Sequence, residues 1–266
     1  MENKKLTILI PLYNAKDYII ETLESIHKNK YNNYNVIILD DFSTDGSKEL
    51  VEQYIKDKSN FKYIKAKTKN SFSSNSRNEL LGYVTDDTNY ILFMDHDDFI
   101  KNDTITRLMK IANNNDYDII QFNHYIYDIK LKSFREYCEK ANNYGIYKPG
   151  DDISLTWVWN KLIKWKLIKN NNIRFIDNSL SEDATYTIML FNYVNSIFHT
   201  GTYEYYHRIL PNSLGRTNKL KKLPYSIYGY AKLLEYVNEH NLIHYRKYAL
   251  NVFNKKVKEL NNLCKT

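Results

Sequence analysis

Four turns of this chain rich in carboxylates are candidates for chemistry: Asp40-Asp41, Asp95-His96-Asp97-Asp98, Asp151-Asp152 and Glu182-Asp183. Such groups hold hard divalent cations, take protons as general bases, and accept hydrogen bonds from polar ligands. Asp95 and Asp97 form an Asp-x-Asp whose oxygen ligands suit Mg2+ or Mn2+ better than zinc. Because ions of this kind are held by one or two carboxylates plus substrate phosphates, the turn points to a diphosphate-bearing ligand. An isolated Asp-x-Asp would be read as a turn that caps backbone N–H groups. Position changes that reading: Asp40-Asp41 and Asp95 to Asp98 each directly follow an apolar run of β type. In an open α/β sheet, ligands sit outside the carboxyl ends of the strands, so acids placed there face the binding crevice.

The elements that position these acids follow from hydrophobic periodicity. Short blocks rich in β-branched and aromatic residues predict strands over Leu6 to Leu12, Val36 to Leu39, Phe61 to Ile64, Tyr90 to Met94 and Ile119 to Phe122. Between them, Asp17 to His27 places Ile19, Ile20, Leu23 and Ile26 on one helical face, and Leu50, Val51, Tyr54 and Ile55 repeat the pattern. Ser43-Thr44-Asp45-Gly46-Ser47 supplies cap and turn residues ahead of that second helix. Strand and helix alternate, which predicts a mostly parallel, Rossmann-like α/β sheet with helices on both faces and right-handed crossovers.

A length of 266 residues, 43% of them hydrophobic, suffices for one large domain or two small ones. Glu2-Asn3-Lys4-Lys5 leads straight into a strand and no run of 18 apolar residues occurs, so neither an export leader nor a membrane span is expected. Cys138 and Cys264 fit no metal-ligand spacing and read as free thiols of a cytoplasmic protein. The net charge of +7 is uneven: from Arg216 onward eleven Lys or Arg face three Glu, about +8, which leaves about −1 for the first 215 residues. Two readings of that basic helical tail stand: contact with an anionic inner-leaflet surface, or a solvated helical face. Nucleic acid is not an expected partner, because an acidic crevice repels phosphate unless a cation intervenes.

Taken together, several motifs resemble the family 2 glycosyltransferases of the GT-A fold. They are Ile8-Leu9-Ile10-Pro11-Leu12-Tyr13-Asn14-Ala15, Ile37 to Ser47 around Asp40-Asp41, Ser76-Arg77-Asn78, and Leu92-Phe93-Met94-Asp95-His96-Asp97-Asp98. The match continues through Trp159-Asn160-Lys161-Leu162, Phe175, Ser181-Glu182-Asp183, and Tyr205-Tyr206-His207-Arg208 with Ser213. It covers residues 6 to about 215, giving an expected catalytic domain over 1–215 and a basic helical extension over 216–266. The resemblance implies inverting transfer of a sugar from a nucleotide-diphosphate donor, most often UDP-linked, to a hydroxyl of a glycan acceptor, with Mn2+ or Mg2+ as cofactor. By analogy, the setting is bacterial surface-glycan synthesis such as capsule or lipooligosaccharide.

The resemblance also assigns roles. Asp41 receives a hydrogen bond from uracil, Pro11, Tyr13 and Asn14 shape the nucleotide wall, and Arg77 sits near the base or its ribose. Asp95 contacts ribose or the metal's hydration shell, Asp97 ligates the metal, and Asp98 supports it. Asp183 is the base that activates the acceptor hydroxyl, while His207 and Arg208 are the cations for the departing diphosphate. Some positions stay open: His96 contacts ribose or sugar, or points to solvent; Trp157 and Trp159 form a sugar platform or core; Lys161 contacts phosphate or is exposed. Asp151-Asp152, after Pro149-Gly150, reads as a turn without catalysis. Two alternatives fit these residues less well. A nucleotidyltransferase would bring a glycine-rich basic phosphate loop, and the seven glycines here contain no Gly-x-Gly-x-x-Gly. A non-catalytic sugar- or membrane-binding module would have no use for a base beside a metal turn.

Overall fold

The structure is a computed structural model that describes residues 3–70, 72–137, 144–148, 157–210 and 219–263. Strands β1 (Leu6–Leu12), β2 (Tyr34–Asp40), β3 (Phe61–Lys65) and β4 (Tyr90–Phe93) alternate with helices α1 (Ile19–His27), α2 (Ser47–Ile55) and α3 (Ser73–Leu81). Then follow β5 (Phe99–Ile100), α4 (Thr104–Asn114), β6 (Ile119–Asp128), β7 (Ser133–Tyr137), β8 (Gly145–Tyr147) and β9 (Lys161–Lys164). The chain continues through α5 (Trp165–Asn170), α6 (Glu182–Phe191), β10 (Ile197–Ile209), α7 (Lys219–Glu239) and α8 (Ile243–Leu263).

One sheet runs β3-β2-β1-β4-β9-β6-β10-β5, with β7 on β6 and β8 on β10. β1, β2, β3 and β4 are parallel. β9 runs antiparallel to both β4 and β6, so β6 keeps the direction of β4, and β10 lies parallel to β6. Six strands therefore share one direction, as the alternation predicted. The register Leu12↔Asp40 and Leu9↔Phe93 brings the ends of β2 and β4 to either side of β1 on the same sheet edge.

The pleat explains why both faces are buried. Leu9, Ile37, Leu39, Ile91 and Phe93 point to one core, shared with Leu80, Ile168 and Ile188. Ile8, Ile10, Val36, Ile38 and Leu92 point to the other, shared with Leu23, Val51, Ile105 and Leu108. Helices thus cover both faces. Tyr230, Leu233 and Val237 of α7, with Tyr245 and Ala249 of α8, belong to the first core, so these two helices pack into the body of the sheet domain. Among the described residues, no helix is long and apolar enough to cross a membrane.

Candidate active site

Two loops at the ends of β1 and β2 are joined side by side. Asn14, in the left-handed region at φ 46°, donates its N–H to Ser43 Oγ (3.0 Å), and its Oδ1 accepts from Thr44 N–H (2.9 Å). Ala15 N–H reaches Ser47 Oγ (2.8 Å), and Lys16 N–H reaches Asp45 Oδ2 (3.0 Å). These bonds leave Tyr13 45% exposed on a fixed wall. Asp40 has a structural role, accepting from Ser43 N–H (2.9 Å) and the Tyr63 hydroxyl (2.6 Å). Asp41 accepts the Asn70 N–H at 2.6 Å, and burial raises its pKa.

The turn after β4 is clamped from α1, where Thr22 Oγ1 lies 2.9 Å from the His96 carbonyl oxygen and 2.7 Å from that of Asp98. His96 resolves an open reading: its Nδ1 bonds the Pro11 carbonyl oxygen at 2.8 Å, tying the turn to the end of β1. Asp98 is fully buried and accepts the Arg208 N–H (2.7 Å) and His207 Nδ1–H (3.2 Å). Burial alone would lower the imidazole of His207, but Asp98, with Asp95 and Asp97 nearby, raises it to about 9. Burial pushes the Asp98 carboxyl up in turn. The backbone N–H aimed at Oδ1 favours the carboxylate, so the pair is read as imidazolium and carboxylate.

Arg77 organises the centre. Its side chain is 4% exposed, and its Nη2 donates to Asp95 (2.8 Å) while its Nη1 reaches both Glu182 (3.0 Å) and Asp183 (2.8 Å). One guanidinium therefore joins the turn after β4 to the first turn of α6. Its Nε has no hydrogen-bond partner among the described residues. Ser73 donates to Glu182 as well, and Asn78 fixes the next stretch by pairing with both the N–H (2.8 Å) and C=O (2.9 Å) of Phe175. Burial raises the Asp183 carboxyl to about 7 against the opposing pull of Arg77. Ser181 precedes α6 as expected, yet it sits in the left-handed region at φ 67° and makes no side-chain cap; the acids of the first turn are held by Arg77, and Asp183 also by the backbone of Val158.

Strand alternation divides His207 from Arg208. His207 stacks on Trp159 at 5.4 Å, whereas Arg208 points to the other side of β10, pairs with Glu21, and lies over Phe99 (4.8 Å) and Tyr18 (5.3 Å). The Arg208 guanidinium is thus committed away from the acid turn, and of the two it is the His207 ring that lies beside it, with Arg77. Trp159 is 1% exposed and sandwiched with Tyr205, Trp157 and His207, which makes it core. Lys161 is not exposed: it is fully buried, with Nζ bonding the Trp157 carbonyl oxygen and Asn160 Oδ1. His124, which sequence reasoning passed over, lies edge-on to Trp159 (4.6 Å), and burial lowers it to about 3. Asp151, Asp152, Ser213, Cys138 and Cys264 lie outside the described residues.

No group of three or more His, Cys, Asp or Glu among the described residues could by itself hold a metal. Asp97 is half-buried, with no hydrogen bond to its carboxylate among the described residues, beside the partly exposed Asp95. That donor set fits an ion held by one or two carboxylates and completed by substrate phosphates.

Acid-bearing turns outside the carboxyl ends of parallel strands place this chain among the open α/β proteins, whose ligands sit at that edge. Residues 7–170 match the model of glycosyl transferase family 2, and the chain belongs to that family. Glycosyltransferase GlyA of Streptococcus pneumoniae is 27% identical over 225 residues, 80% of this chain and 32% of that protein. Poly(ribitol-phosphate) beta-N-acetylglucosaminyltransferase TarS of Staphylococcus aureus is 26% identical over 211 residues, 76% of this chain and 35% of that protein. The chain thus spans about a third of the length of these curated relatives. The crystal structure of S. aureus TarS 1-349 in complex with UDP-GlcNAc superposes with a TM-score of 0.76 at 19% identity, covering 95% of this chain and 72% of that one. Mannosyltransferase PcManGT from Pyrobaculum calidifontis, in complex with GDP-Man and Mn2+, gives 0.62 at 12% identity, covering 98% and 76%. The fold is GT-A.

Proposed function

We propose that this chain carries out inverting, divalent-metal-dependent transfer of a sugar from a nucleotide-diphosphate donor, UDP-linked, to a hydroxyl of a surface-glycan acceptor. The observation that carries this reading is the Arg77 bridge, which holds a buried carboxylate of raised pKa next to the acid turn at the carboxyl end of β4. The names of the relatives support it: they are glycosyltransferases, one names poly(ribitol-phosphate), and the structural neighbours hold UDP-GlcNAc or GDP-Man.

In this reading the walls built by Pro11, Tyr13, Asn14 and Asp41 take the nucleotide, with His96 holding the Pro11 end. Asp183 accepts the proton of the acceptor hydroxyl as its oxygen attacks the anomeric carbon from the face opposite the diphosphate. The bond from that carbon to the phosphate oxygen breaks, and negative charge builds on the departing nucleotide diphosphate. His207, held as imidazolium by Asp98, is the protein cation placed to offset that charge. A bound Mn2+ or Mg2+ at Asp97, with Asp95 beside it, would supply further Lewis-acid stabilisation of the diphosphate.

The test is a panel of nucleotide-sugars incubated with the protein with and without Mn2+, read by nucleotide release and thermal shift. Release confined to one UDP-sugar in the presence of metal is the expected result, and silence across the panel would remove the transfer reading. Asp97→Asn addresses the metal directly. It is expected to abolish the stabilisation by Mn2+ plus UDP and to lower turnover by about 10²-fold or more. An Asp97→Asn protein that keeps both Mn2+ dependence and near-normal turnover sinks the metal assignment.

A further inference from the structure

The start of α7 stands beside the proposed base. Leu180 donates its N–H to the Tyr225 carbonyl oxygen (3.4 Å), and the hydroxyls of Ser181 and Ser226 are 3.3 Å apart. Gly229 permits this approach, since a Cβ there would lie 3.1 Å from the Leu180 carbonyl oxygen and 3.1 Å from Ser179 Cβ. The Tyr225 ring sits 4.7 Å from that of Phe72, the residue before Ser73, which itself donates to Glu182. Tyr225 is therefore a neighbour of the turn that carries Glu182 and Asp183.

Beyond the contact of Tyr225 with Phe72, the outward side of this helix has a pattern that packing does not explain. Lys221, Tyr225, Tyr228 and Lys232 are all exposed and fall at i, i+4, i+7 and i+11, a single helical face about 16 Å long. Tyr225 and Tyr228 are 43% and 44% exposed. One exposed aromatic needs no explanation, but two in line, bracketed by lysines and next to a catalytic turn, make a surface. Tyrosine offers a rigid ring with a polar tip at low entropic cost, which suits a partner with apolar C–H faces and many hydroxyls. The lysines suit a partner that also carries negative charge; Lys232 is shared with Glu235 (2.7 Å). The acid turn and the Glu182-Asp183 pair repel an anionic acceptor, so such an acceptor needs cations on its approach.

We propose that the Lys221–Tyr225–Tyr228–Lys232 face of α7 binds the acceptor, and that the acceptor is a hydroxyl-rich polymer linked by phosphodiesters. The tyrosines pack on its carbon-bearing segments while the lysines pair with its phosphates. This rests on the glycosyltransfer reading and names the acceptor class for it.

The experiment titrates the full chain with a soluble glycerol-phosphate oligomer of defined length, with neutral dextran and anionic phospholipid vesicles as controls. Two double variants are compared, Lys221→Gln/Lys232→Gln and Tyr225→Ala/Tyr228→Ala, with thermal unfolding and nucleotide-sugar binding followed in parallel. The expected result is oligomer binding that weakens about ten-fold in each variant and, in the wild type, weakens with added salt, with unfolding midpoint and nucleotide-sugar binding unchanged. Equal affinity in wild type and variants overturns the proposal, as does a wild type that binds no oligomer or binds dextran as tightly. Capture by vesicles without oligomer binding overturns it too, and so does a loss of nucleotide-sugar binding in both variants, which would mean a structural role. A wild type that binds the oligomer through these residues yet turns over no donor supports this surface and removes the transfer reading alone.

Discussion

Arg77→Lys is expected to lower turnover by about 10²-fold while the protein stays folded. Arg77 serves three carboxylates from two nitrogens, and that geometry belongs to a planar fork with fixed donor directions. A lysine keeps the charge, so the buried acids remain compensated, but a single ammonium cannot reach Asp95, Glu182 and Asp183 from the guanidinium's positions. Asp183 then loses its fixed orientation, and a misplacement of about 1 Å in a reacting group can cost about 10²-fold. Arg77→Ala is the harsher change. It leaves three acids facing one another in a mostly buried site, and removing one partner of a buried ion pair costs about 3–5 kcal/mol. The alanine variant is therefore expected to lose stability and activity together, the lysine variant activity alone. Steady-state kinetics beside thermal unfolding separate the two. An Arg77→Lys protein with wild-type turnover would show that the bridge does not orient the base.

The central strands and first two helices were legible because their patterns are local. The apolar block Leu6 to Leu12 is β1 with the same ends, and the β2, β3 and β4 blocks differ by a residue or two at their boundaries. The apolar pattern of β6 stops at Phe122, whereas the strand runs on to Asp128 through a half-buried, tyrosine-bearing stretch held by β7 and β10. The acid turns Asp40-Asp41, Asp95 to Asp98 and Glu182-Asp183 were also legible, since each ends, follows or opens an element. What joins them was not: Arg77 meets Glu182 and Asp183 across 105 and 106 residues, and nothing near Ser76-Arg77-Asn78 encodes that pairing. The division of His207 from Arg208 had a signal that could have found it, because consecutive residues of a strand face opposite sides. The burial of Lys161 had none, since its partners are a carbonyl and an amide presented by the fold.

Asp183→Asn is expected to lower transfer by about 10²- to 10⁴-fold while nucleotide binding is retained. The amide nearly matches the carboxylate in size, and Arg77 keeps Asp95 and Glu182, so the wall of the crevice survives. What disappears is the group that takes the acceptor's proton. The pH dependence gives a second handle. With the Asp183 carboxyl raised to about 7, the base is ready only above that pH, so kcat/KM of the wild type should climb through about pH 7 and level off. The variant should lose that climb. Stability should move the other way. A carboxyl whose folded pKa lies above its unfolded value binds more protons in the folded state, so its contribution falls as pH rises from about 4 to about 7. Asparagine carries no such penalty, and at pH 8 the variant should unfold at or above the wild-type temperature. Loss of transfer with equal or greater stability is the behaviour of a buried carboxylate kept charged for chemistry. Transfer retained in Asp183→Asn, with the pH climb intact, would sink the assignment of the base.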